Sequence, residues 1–145
     1  MWIDSSDPIA CASAARSTVV SSSSEKAASS RCVGCHADTF VWLSILDTGN
    51  GGLETMDFVT DFNPAQGDQI DLTTIDADET TDGHQLFTLF TDGVVFTEPA
   101  QIRFLQDVAS HSTFLILNVD GSPDNDAVIR LSGLLTPDSS WFVHP

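Results

Sequence analysis

Residues 57–76 read DFVTDFNPAQGDQIDLTTID, and the reading of this stretch sets the fold class. Residues 56–62 place Met56, Phe58 and Phe62 at even positions against Asp57, Val59 and Asp61, a near-alternating pattern that predicts a strand. Asn63-Pro64-Ala65-Gln66-Gly67 is a turn, because Asn bonds its own backbone, Pro presets φ and Gly supplies a positive φ. Residues 69–72 (QIDL) follow as a second short strand.

The same grammar continues on both sides. Residues 39–46 (TFVWLSIL) carry Phe40, Trp42 and Leu46 on one face and Val41, Leu43 and Ile45 on the other, which predicts a strand buried on both sides. Residues 47–52 (DTGNGG) form a turn cluster, and residues 76–83 an acidic loop. Further apolar runs at 85–90, 94–96, 102–105, 113–119 and 127–131 are each bounded by Gly, Pro, Asp or Ser. Repeated amphipathic helices of a βαβ architecture are missing. The pattern predicts an all-β domain, an antiparallel β-sandwich or β-roll cap, over residues 37–145. Residues 1–36 are rich in Ser and Ala, with four consecutive serines at 21–24 and no sustained period, and are expected to form a poorly structured tail.

Charge divides the chain the same way. The net charge is −16, yet in residues 1–36 Asp4, Asp7 and Glu25 cancel Arg16, Lys26 and Arg31. The other eighteen acids face only Arg103 and Arg130. Such a surface repels phosphate backbones and anionic lipid, so neither nucleic acid nor membrane is expected as a partner. No run approaches the roughly 20 apolar residues of a membrane span, and no secretory signal peptide is visible at the N-terminus. Hard oxygen ligands in excess favour calcium as the bound cation; the alternative is a solvated acidic surface. Oligomeric state is left open by the sequence.

Two groups of oxygen ligands stand out. Asp57, Asp61, Asp68 and Asp71 surround the strand–turn–strand unit, with Asp57 and Asp61 four apart and so on one face of a continuous strand. Like charges that close are costly unless a cation or water separates them. Asn118, Asp120, Ser122, Asp124 and Asp126 alternate through a loop as in the opening positions of an EF-hand. Pro123 at the sixth position and Ile129 at the twelfth exclude an EF-hand proper, and a polar hairpin connection is the competing reading.

The three cysteines, Cys11, Cys32 and Cys35, all precede residue 36, so the acidic part folds without disulfides. Cys32-Val33-Gly34-Cys35-His36 matches the haem-attachment spacing, and Cys11, Cys32, Cys35 and His36 have zinc-ligand chemistry; unpaired thiols in a tail are the plainer reading. No H-E-x-x-H, G-x-S-x-G or P-loop occurs, and no catalytic residues are assigned.

The run from Asp57 to Asp76 resembles the C-terminal domain of serralysin-type (peptidase M10) RTX proteins, in the pattern D-x-I-x-D-F-x-x-x-x-G-D-x-I-D-L-S-x-I-D, with Val59 and Thr73 standing at its Ile and Ser. The flanks agree. Ala37-Asp38-Thr39-Phe40-Val41 is similar to the family's D-T-F-V-F entry, and Asn118 to Gly121 with Ala127 to Gly133 is similar to its late D-x-D-G…I-x-L-x-G segment. The glycine-rich nonapeptide of the family's calcium repeats is absent, and the end WFVHP departs from the family's usual terminus. The resemblance implies a non-catalytic, calcium-associated domain of an exported protein that assists folding and type I secretion, with an extracellular destination. A calcium-dependent carbohydrate- or surface-binding sandwich is the alternative, with Trp42, Phe96 or Trp141 as stacking platforms. Exposure of those aromatics would favour the binding module, and their burial the export cap.

Overall fold

A computed structural model describes residues 18–21, 37–48, 52, 55–89 and 95–144. Cys11, Cys32, Cys35 and His36 lie outside the described residues, as do most of residues 1–36. Of that expected tail, Thr18–Ser21 forms a strand, β1. The other strands are β2 (Thr39–Trp42), β3 (Asp57–Val59), β4 (Gln69–Asp71), β5 (Thr88–Leu89), β6 (Gln101–Asp107), β7 (Ser112–Asn118) and β8 (Ala127–Ser132). Among the described residues the remaining regular structure is three short 3-10 helices, so the domain is all-β.

Two sheets form. β1, β2 and β4 pair in parallel, and β3-β8-β7-β6-β5 make a mixed five-stranded sheet. The antiparallel pairing expected from the sequence holds for the three long strands β6, β7 and β8. The short strands instead pair in parallel, β3 on β8 and β5 on β6. Phe40, Trp42 and Ile70 from the small sheet and Ile102, Leu115, Leu117, Ile129 and Leu131 from the large one share a single core. The two sheets therefore form a sandwich.

β7 lies at the centre of the large sheet and is buried along its whole length. A strand covered on both faces reads as a continuous apolar run, as 113–119 does. Leu115 and Leu117 point into the main core, while Phe114 and Ile116 join Phe96 and Val128 in a second cluster on the outer face. That outer cluster is roofed partly by arginines. Arg130 stands 4.4 Å from the Phe58 ring centre and Arg103 4.9 Å from that of Phe96, each contact worth about 0.5–1 kcal/mol at such half-exposed sites.

The main core is threaded by aromatic edges. Phe40 meets Phe62 at 5.9 Å, Phe62 meets Trp141 at 5.3 Å, and Trp141 meets Phe104 at 6.1 Å. The C-terminal segment is held beside β4 by the Ile70–Phe142 bridge and by Val143 N–H donating to the Ile70 carbonyl at 2.9 Å.

Two local expectations are corrected. The run 39–46 leaves the sheet after Trp42 and turns into a 3-10 helix, Ile45–Thr48, so Leu43 and Leu46 are 50% and 72% exposed rather than buried. Ser44 causes the departure, since its carbonyl accepts from Asp47 N–H and its Oγ from Leu46 N–H. In 56–62, Val59 and Phe62 are the buried residues and Phe58 faces outward. The strand stops at Val59, which lets Phe62 rejoin the core despite its parity.

Ala100 has φ 62, a left-handed conformation that costs a residue with a Cβ about 1–2 kcal/mol, and its carbonyl accepts from both Thr88 N–H and Thr88 Oγ1. Ala100→Gly is expected to raise unfolding stability by about 0.5–1 kcal/mol after glycine's own entropic cost. Denaturant midpoints of the two proteins check this, and an unchanged or lower midpoint would contradict the left-handed geometry.

Candidate functional site

The carboxylates that the sequence singles out are placed by turns, and most of their bonds go to backbone donors. Asp68 is the most deeply set, only 4% exposed. One of its oxygens accepts from Asp38 N–H at 3.0 Å and the other from Asn63 N–H at 2.8 Å. It thereby ties the entry to β2 onto the turn before β4. That turn is a 3-10 helix, Pro64–Gln66, capped by Asn63 Oδ1 accepting from Ala65 N–H at 3.1 Å. Gly67 closes it at φ 89, where an added Cβ would approach the Ala37 Cβ to 3.3 Å. Only glycine suits both demands.

Asp57 accepts from the Trp42 indole N–H at 2.7 Å, joining the two sheets through a half-buried charge-assisted bond. Asp71 accepts from Thr73 N–H and Thr73 Oγ1 at 2.9 and 2.6 Å. Asp61 lies beyond the end of β3 and is exposed, so it does not share a strand face with Asp57.

The second group braces the β7–β8 connection. Asn118 is fully buried, donates its amide to the Ser122 and Asp124 carbonyls, and accepts from Gly121 N–H at 2.8 Å. Asp120 accepts from Ser122 N–H at 2.8 Å, and Asp126 from Val119 N–H at 2.7 Å. Asp124 contributes its backbone carbonyl, and its side chain is exposed. The sequence reading missed Asp76, which plays the same part in the acidic loop by accepting from Asp78 N–H and Gln85 N–H. The signal was present in the D-x-D-x-T spacing of 76–80, a run of aspartate-closed turns.

Among the described residues no group of three or more His, Cys, Asp or Glu side chains stands close enough to hold a metal ion. Trp42, Phe96 and Trp141 are 1%, 4% and 4% exposed, so none offers a stacking face. A small apolar cleft lies between Leu72, Phe87 and Phe142, bordered by His144, whose Nε2 pairs with the Ser139 carbonyl at 3.2 Å. Among the described residues no helix is long and apolar enough to cross a membrane.

Among the described residues four aspartates are held below the usual carboxylate range. For Asp120 the main cause is the Ser122 backbone N–H, followed by the Ser122 hydroxyl. For Asp138 it is the Ser140 hydroxyl and then the Ser140 N–H, for Asp78 the Thr80 and Thr81 hydroxyls, and for Asp107 the Ser110 hydroxyl and the Ala109 N–H. Hydrogen bonds to the ionised form favour that form.

Comparison with known proteins gives one positive finding. The family model described as peptidase M10 serralysin C terminal matches residues 9–143, which takes in most of the Ser/Ala-rich segment as well as the sandwich. The matching model is that of the C-terminal domain, not of the catalytic one. No curated protein matches the chain.

Asp68→Ala leaves two N–H groups without their charged acceptor and is expected to lower stability by about 2–3 kcal/mol; Asp68→Asn, which keeps an acceptor oxygen, is expected to cost less. Equilibrium denaturation distinguishes them, and equal, negligible losses would contradict a bracing role. The four depressed aspartates contribute stability that is fully present above their ordinary value of 3.8 and is lost as pH falls through their lower folded-state values. An acid titration of Asp120→Asn together with Asp138→Asn should show a flatter acid limb than the parent.

Proposed function

The chain belongs to the peptidase M10 serralysin C-terminal family, and from that premise we propose that it is the non-catalytic domain of an RTX-type exported protein, assisting folding and type I secretion. The family match carries this reading, because it spans nearly the whole chain and falls on the accessory domain of the protease rather than on its catalytic part. The destination that follows is extracellular, and the type I secretion machinery is the partner.

Burial of Trp42, Phe96 and Trp141 supports the export reading over a carbohydrate-binding module, which needs at least one exposed aromatic platform. Phe58 is the exception among the described aromatics at 40% exposure, and the Arg130 guanidinium stacks on its ring.

Calcium association belongs to the same proposal, in a diffuse form. A net charge of −16 attracts divalent cations to the whole surface, relieving self-repulsion of the compact state without a dedicated cage. Asp57, Asp61, Asp68 and Asp71, and Asn118, Asp120, Asp124 and Asp126, contribute to this field while bracing their loops.

Two measurements test the proposal. Appended to an unstructured passenger in cells carrying a type I exporter, the whole chain should direct the passenger to the medium. Retention inside, with and without the exporter, would sink the export role. Thermal unfolding of the EDTA-stripped chain should rise gradually with calcium and nearly as much with magnesium. A saturable rise specific to calcium would replace the diffuse account with a discrete site of the kind that binds only the folded state.

A further inference from the structure

The acidic loop between β4 and β5 and the connection between β7 and β8 each contain an aspartate followed by glycine, Asp82-Gly83 and Asp120-Gly121. The same dipeptide meets opposite surroundings in the two places.

At Asp120 both reacting groups are engaged. The carboxylate accepts from Ser122 N–H at 2.8 Å, and the Gly121 amide donates to Asn118 Oδ1 at 2.8 Å. Asn118 is itself fully buried and pinned by the Ser122 and Asp124 carbonyls, so the Gly121 nitrogen cannot turn toward its neighbour. At Asp82 the arrangement is loose. Asp82 and Gly83 are both exposed, and among the described residues the Gly83 amide donates no hydrogen bond. The anchors of the loop lie elsewhere. Ala77 N–H donates to the Gln85 carbonyl at 3.1 Å, Gln85 N–H to Asp76 Oδ1 at 3.1 Å, and Glu79 N–H to the Val119 carbonyl at 2.9 Å. Gly83 sits at φ 112, and even a built Cβ would come no closer than 3.4 Å to a described side chain, so nothing hinders approach from that side.

We propose that Asp82-Gly83 is a spontaneous modification site, at which aspartate converts to isoaspartate through a succinimide, while Asp120-Gly121 is protected by its hydrogen bonds. The Gly83 nitrogen attacks Cγ of Asp82. The N–Cγ bond forms, and the carboxyl oxygen departs as water with the amide and carboxyl protons. Water then adds to the ring carbonyl attached to Cα and breaks its bond to nitrogen. The chain now runs through Cβ and Cγ, one backbone atom longer, with no change of mass. The retained α-carboxylate keeps the charge as well. Glycine is the neighbour that permits this, because a side chain at that position would crowd the ring. The lowered proton affinity of Asp120 works in the same direction, since the ionised carboxylate is the poorer electrophile.

The product lengthens a loop whose closure depends on Asp76 reaching Gln85. The Gln85 Nε2 contact to the Asp82 carbonyl, 3.3 Å, is the first to be disturbed. The loop also touches Val119 at the end of β7, so conversion loosens one margin of the sandwich without touching its core.

The test uses the whole folded chain, incubated at neutral pH and physiological temperature. Isoaspartate is counted by enzymatic carboxyl methylation and located by electron-transfer fragmentation. It is expected to accumulate several-fold faster at position 82 than at position 120, and the two rates should converge when the chain is unfolded in urea. Asp82→Glu, which cannot form the five-membered ring, should remove the signal at 82 and leave that at 120 unchanged. Equal rates in the folded chain, a faster rate at 120, or a ratio that urea leaves unchanged would each overturn the assignment.

Discussion

The whole structure depends on one strand having no face in water. β7 is buried from Ser112 to Asn118, so each side of the large sheet requires its own cover. The front is covered by the small parallel sheet and the edge-on chain of Phe40, Phe62, Trp141 and Phe104. The back is covered by Phe96, Met56 and two arginine–phenylalanine stacks. Even the polar residues of β7 are drawn into this arrangement. Thr113 Oγ1 donates to the Gly133 carbonyl and accepts from Leu135 N–H, and Ser112 Oγ accepts from Arg130 Nε. A buried hydroxyl left unbonded would cost about 1–3 kcal/mol, so these bonds fix where the chain goes after β8. Arg103 and Arg130 are the only two cations of residues 37–145, and both lie over rings on the same face.

The acids serve a different constraint. Short strands need tight connections, and each connection leaves N–H groups that no ladder can take up. Asp68, Asp71, Asp76, Asp120, Asp126 and Asp138 answer that need one by one. Turn-capping and calcium coordination draw on the same residue types at the same spacing. A carboxylate two residues ahead of a backbone N–H reads alike in both roles. The difference lies in convergence, which only the fold reveals: Asp71, Asp120 and Asp138 turn back on their own loops, while Asp68 reaches across to Asp38 N–H.

That distinction marks where sequence reasoning carried and where it failed. The turn at 63–67 was legible because Asn, Pro and Gly each have one local job there, and the structure gives them those jobs. The central strand was legible because a run of apolar residues between turn residues has little else to become. Strand orientation was not legible, because a period of two is the same in parallel and antiparallel ladders. Nor was the end of β2, since Ser44 breaks the strand by bonding backbone groups while the apolar pattern runs on through Leu46. The Trp42–Asp57 bond was hidden for a related reason. Its partners stand fifteen positions apart in the chain, and nothing in the spacing brings a tryptophan edge to a carboxylate.

Placing aromatics inside and acids outside has a thermodynamic consequence for a domain of this charge. The buried clusters favour the compact state by a fixed amount, whereas repulsion among the surface carboxylates opposes it by an amount set by the surrounding cations. The balance therefore moves with the medium even though no contact in the core changes. Cations gathered by the folded surface more strongly than by the expanded chain stabilise it by ordinary linkage, with no need for a coordination cage. A cation-poor medium then holds such a chain nearer its unfolding threshold than a cation-rich one does. A surface of loop-bracing aspartates supplies that asymmetry through the residues that also close the turns.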